Sequence, residues 1–177
     1  MRKRVKNHTY SVWDVSHYII RYSNERDYGV SNLKLQKLLY FVQAFFLIND
    51  HLPCFAEQIE AWDFGPVVPE IFEEYERYGG LDIPAITYHV RFAENLWDSE
   101  RIYYDNSVIT DKDKEMIRAV VDEFASFSAT ELVKLTLLQD PWINAYASAC
   151  KMEIKPDAIK EYFSDDAMKA EKENGII

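Results

Sequence analysis

With 30 acidic against 20 basic residues in a chain of 177, the formal net charge is -10, so a nucleic acid would meet net repulsion unless a basic face stood apart from the acidic bulk. A content of 48% hydrophobic and 15% aromatic residues excludes a disordered chain and suits a single domain that buries roughly 70% of its unfolded surface. Two widely separated cysteines, Cys54 and Cys150, indicate neither a disulfide framework nor a zinc site, and a cytoplasmic address follows as the default expectation.

The chain opens on a basic cluster, Arg2-Lys3-Arg4-Val5-Lys6, read as a solvated tail over residues 1–10. It starts like the n-region of a signal peptide, but His8, Ser11, Asp14, Ser16 and His17 interrupt any apolar h-region, so secretion by that route is not expected. Ser11 is placed to cap a first helix from Val12 to about Asn24, whose Val12, Val15, Ile19 and Tyr22 share one stripe. A second helix starts at Ser31 and is apolar nearly all round, with Leu35, Leu38, Leu39, Val42, Phe45 and Phe46 at helical spacing. That pattern predicts a central helix. Lys34, Gln36, Lys37 and Gln43 are its polar exceptions and mark the side expected to reach solvent or a partner. The apolar run from Leu38 to Ile48 contains Gln43 and falls short of the roughly 20 residues needed to cross a bilayer, so no membrane association is expected.

A short extended segment follows over Glu57 to Trp62, and Gly65-Pro66 is expected to end it. Val68 precedes a proline and is pushed out of the helical basin, while Pro69 suits the first position of a helix with Glu70, Glu73 and Glu74 near its start. Gly79-Gly80 supplies the stop. Between Ile83 and Tyr104 the β-formers predict irregular chain with a small hairpin. Helical signals return at Thr110 or Asp111, with Ile117, Val120, Val121 and Phe124 on one face. Ser128 and Glu131 then form a capping-box pattern before Leu132, Leu135 and Leu138. Asp140-Pro141 starts a helix holding Trp142, Ile143 and Tyr146, and a last helix after Pro156 carries Ile159, Tyr162 and Phe163. Residues 166–177 read as a charged tail. The expected fold is mainly α: a single-domain helical bundle over residues 11–165, built around a buried central helix, with a small β element.

No arrangement of residues announces catalysis. The histidines His8, His17, His51 and His89 lack the i, i+4 spacing of a metal pair, and no phosphate-cradling glycine loop or nucleophile elbow is present. Neither metal nor cofactor is therefore expected. Glu57, Glu60, Asp63, Glu70, Glu73 and Glu74 form a dense acidic group that complements a helix start and leaves acid–base work as the alternative. Asp63 is placed either to cap the turn at Gly65-Pro66 or to meet a partner. Trp62, Phe64 and Trp142 read either as core or as anchors of an interface, and Lys34 with Lys37 either as a solvated face or as the seat of an acidic partner. Trp13 and Trp97 carry no functional reading.

Two segments carry a resemblance. The helix sequence Leu33-Lys34-Leu35-Gln36-Lys37-Leu38-Leu39-Tyr40, followed by Glu60-Ala61-Trp62-Asp63-Phe64-Gly65-Pro66-Val67-Val68-Pro69, resembles the SocA-like antitoxin family, also called the Panacea domain. Leu135-Thr136 with Asp140-Pro141-Trp142 is similar to that family's C-terminal segment, which in many members has a histidine after the threonine; Leu137 stands there in this chain. The resemblance implies an antitoxin-type binding protein and not an enzyme, one that neutralises a cognate protein toxin or delivers it to a cytoplasmic protease. A phage-associated accessory protein acting through protein–protein contact is the alternative, and an enzyme or a helix-turn-helix regulator are competing classes. Partner contact is expected at Lys34, Lys37, Trp62, Asp63, Phe64, Gly65, Pro66, Val67 and Trp142.

Overall fold

Ser11, Ser31, Thr110 and Ser128 each hold extended backbone angles and accept a hydrogen bond from an amide of the turn that follows, so four helices begin where a hydroxyl satisfies an otherwise orphaned N–H. The computed structural model describes residues 9–50, 52–91, 93, 95–147 and 153–164. Its helices are α1 (Val12–Glu25), α2 (Asn32–Asn49), α3 (Pro69–Tyr75), α4 (Asp111–Glu123), α5 (Ala129–Leu137), α6 (Asp140–Ala147) and α7 (Pro156–Ser164). Strands β1 (Glu60–Trp62) and β2 (Gly65–Val67) form one antiparallel hairpin, and β3 (Tyr88–Arg91) and β4 (Glu100–Tyr103) form another. The mainly α reading with a small β element is what the chain adopts. No described helix is long and apolar enough to cross a membrane.

Helix α2 is the axis of the molecule. It packs against α1, α3, α4, α5, α7 and β2, and Leu35, Leu38, Leu39, Tyr40 and Val42 have no exposed surface. Phe41 stacks on Phe124 of α4 at 4.3 Å, and Phe163 of α7 meets Tyr40 and Phe41 edge-on, geometries that favour aromatic pairs beyond their buried area. Tyr10 is itself buried, with its hydroxyl donating to Asp113 and its amide to the Cys54 carbonyl at 2.8 Å. The core therefore begins inside the segment assigned to the N-terminal tail. The basic cluster at residues 2–6, His8, His51, Cys150 and the charged stretch 166–177 lie outside the described residues.

Three expectations change. Gly65-Pro66 does not end the extended segment but starts its second strand, with Trp62 facing Gly65, Ala61 facing Pro66 and Glu60 facing Val67. Asp63-Phe64 is then a two-residue loop, and Gly65 takes φ +94°, a conformation that suits glycine. Alternation along the ladder puts Pro66 at a non-hydrogen-bonded position, where its missing N–H costs no bond. Leu138, placed with the apolar face of α5, ends that helix and is 67% exposed. Finally, Lys34, Gln36, Lys37 and Gln43 are all buried, because neighbouring segments cover the sides of α2 that carry them and leave only Leu33, Phe45, Ile48 and Asn49 partly or fully open to water.

Candidate functional site

Each of those four polar side chains reaches a backbone group of a segment wrapped around α2. Lys34 Nζ donates to the Ala125 carbonyl at 3.0 Å. Gln36 accepts the Val68 amide at 2.9 Å and donates to Asn32, which donates in turn to the Phe72 carbonyl. Lys37 Nζ donates to the Pro66 carbonyl at 2.8 Å. Gln43 accepts the Cys54 and Phe55 amides and returns a bond to the Phe55 carbonyl. Irregular chain has main-chain groups that no helix or sheet satisfies, and leaving them buried and unpaired costs about 1–3 kcal/mol each. The polar residues of α2 supply those partners.

The first hairpin is held hardest. Gln36 and Lys37 grip β2 from one side, and a Cβ at Gly65 would lie 2.6 Å from Thr136 Oγ1 and 3.0 Å from Lys37 Cε. Thr136 turns its hydroxyl onto the Leu132 and Val133 carbonyls of its own helix, which lets α5 close over the glycine. From α6, Trp142 Nε1 donates to the Trp62 carbonyl at 3.0 Å and Tyr146 donates its hydroxyl to Asp63 at 2.9 Å, the two rings stacked at 4.7 Å. Trp62 Nε1 donates to Glu60, and its ring meets Phe72 edge-on. One turn along α2, Tyr40 donates to Gln139 at 2.9 Å.

Electrostatics follow from this enclosure. Burial pushes the Lys37 ammonium down to about 7, because a charge taken out of water is disfavoured. Burial also lowers Lys34, partly offset by Asp82. The Tyr146 phenol is raised, first by its bond to Asp63 and then by the charge of that carboxylate.

The structure thus divides the residues expected at a partner surface. Asp63 and Phe64 form the exposed tip, with Phe64 66% exposed, and Trp62 and Trp142 lie half-buried behind it. Gly65, Pro66, Val67, Lys34 and Lys37 are inside, so the expectation that the two lysines face outward is corrected. Asp63 and Glu60 are each engaged by an aromatic donor, Tyr146 and Trp62. Ile143 and Tyr146 of α6 are exposed as well. Periodicity does not reveal Gln139 as a partner of Tyr40; its only signal is its place just ahead of Asp140-Pro141.

Comparison with known proteins bears on the same residues. The family model described as Antitoxin SocA-like, Panacea domain matches residues 35–143, more than half of the chain. Antitoxin SocA of Caulobacter vibrioides (strain NA1000 / CB15N) is 43% identical over 53 residues, which amount to 30% of this chain and 28% of that protein. The chain therefore spans under a third of that relative's length. No solved structure matches.

Proposed function

This chain belongs to the SocA-like antitoxin family through its Panacea domain, and we propose that it binds a cognate protein toxin in the cytoplasm and neutralises it by direct contact, without catalysis. The observation that carries this reading is the hairpin tip: Phe64 stands 66% exposed on a loop followed by a buried strand and hydrogen-bonded through the Trp62, Pro66 and Val68 main chain. An aromatic side chain held in place before binding loses little freedom on contact, and such residues dominate interface energetics. Trp62, Asp63, Trp142 and Tyr146 surround it. In this reading Lys37, Gly65, Pro66 and Val67 serve the contact from behind, by fixing the tip, while Lys34 holds the chain at Ala125. The net charge of -10 favours a basic partner.

The test is co-purification with the products of neighbouring open reading frames. The wild-type chain is expected to capture one of them and to rescue growth when that product is expressed. Phe64→Asp is expected to lose both while its melting temperature stays within a few degrees, as surface substitutions do. Capture unchanged by Phe64→Asp places the interface elsewhere; no capture by the wild-type chain overturns the function.

A further inference from the structure

A second feature lies on the other side of α3. Helices α1 and α3 and the β3–β4 hairpin border an open cavity of about 370 Å³ whose lining includes Asp14, Glu70, His89, Trp13, Tyr104 and Arg91. The rings form a column in which Trp13 stacks on His89 at 4.3 Å and His89 leans on Tyr104 at 5.2 Å. Trp13 Nε1 donates to Glu70 at 2.8 Å and so fixes one carboxylate in the wall.

This cavity has acceptors in excess of donors. Outside the lining, Glu57 is close enough to act on both Asp14 and Glu70; it accepts the Val12 amide through Oε1, while its Oε2 is buried with no donor. His89 Nδ1 is also buried without a partner; with the ring proton on Nε2 it presents a lone pair. Burial is the leading reason that both the Asp14 and the Glu70 carboxyls are raised. Asp105 and Glu57 add to it for Asp14, Glu57 and Glu73 for Glu70, against the opposing effects of His17 and Trp13. Arg91 is the one cationic side chain in the lining, and it is exposed. Two lining carboxylates in partly dry surroundings, with the unmatched buried His89 nitrogen beside them, are the complement of a planar cation with many N–H donors.

We propose that this cavity is a binding site for an arginine side chain of the protein partner, its guanidinium held between Asp14 and Glu70 against the Trp13–His89–Tyr104 column. Only the source of the side chain rests on the antitoxin reading; the site's preference for a guanidinium does not. The partner is then gripped at two points, the Phe64 tip and this cavity.

The probe is N-acetyl-arginine amide titrated into the full chain and followed through the Trp13 indole N–H signal. N-acetyl-citrulline amide, of the same shape but uncharged, is the control. The arginine probe is expected to give a saturable shift that citrulline does not, weakened about tenfold or more in Glu70→Gln, which keeps an acceptor for Trp13. Asp14→Asn supplies a second variant should the first fail to fold. Absence of saturation, an equal response to citrulline, or unchanged binding in folded variants overturns the site. Toxin affinity should also fall about tenfold or more in Glu70→Gln. If the arginine probe binds and toxin affinity does not move, the assignment to the partner is overturned. If the wild-type chain captures no toxin while the probe still saturates, the antitoxin reading fails and the guanidinium site stands.

Discussion

An ammonium with no exposed surface and one carbonyl partner makes Lys37 the most informative single residue. Its ordinary value of 10.5 falls to about 7 on burial, so between those limits the unfolded chain binds a proton that the folded chain does not. Stability therefore rises with pH across this window, and below about 7 the charged form is buried at its full cost. Urea melts between pH 7 and 9.5 are expected to show a slope of up to about 1.4 kcal/mol per pH unit, and Lys37→Met is expected to flatten it. Above that range burial-raised Tyr75 and Tyr104 act in the opposite sense, since the unfolded chain loses its phenolic protons first. A wild-type slope that Lys37→Met leaves intact would place the titration elsewhere. Gly65 is the companion case: Gly65→Ala puts a methyl into Thr136 and Lys37 at a positive φ, with an expected loss of about 2 kcal/mol or more in thermal melts.

Among the elements, α2 takes the largest penalties. Leu38→Ala is expected to cost about 2–5 kcal/mol in denaturant melts, and Phe45→Ala less, since Leu38 has no exposed surface and Phe45 is half-buried. Comparable losses at both would mean that α2 is more enclosed than its accessibility shows. Ser128→Ala removes the hydroxyl half of a complete capping box from α5 and leaves the backbone amide of position 128 donating to Glu131, for about 1 kcal/mol. That box was legible because serine and glutamate at the right spacing have one local use. Helix α2 was equally legible as an apolar cylinder. What its residues could not reveal is where Lys34, Gln36, Lys37 and Gln43 point, because their partners are main-chain groups supplied by distant segments. The second strand was missed for a related reason: Gly-Pro reads locally as a break, and only pairing with Glu60–Trp62 shows that Pro66 needs no donor.

At the scale of the whole molecule, negative charge outweighs positive by 10, and if the partner is the basic toxin proposed above, its encounter is expected to slow as salt rises while dissociation changes less. Stopped-flow association at several salt concentrations checks this; a salt-independent rate would argue against electrostatic steering. The acidic balance was plain in the composition, but the cavity between α1, α3 and the second hairpin was not. Asp14, Glu70 and His89 come from three separate stretches and meet only when the chain is folded. The side-chain grips on β2 and on the strand leading to α3 attach to peptide groups and not to side chains: Pro66 through its carbonyl and Val68 through its amide. Such anchoring ignores what the neighbouring loop residues are. Positions 63 and 64 can thus change identity without unseating the scaffold, provided Gly65 and Pro66 stay, and on the antitoxin reading proposed above one architecture is open to retuning two letters at a time. A randomised library at those two positions should keep most members folded while scattering their choice of toxin.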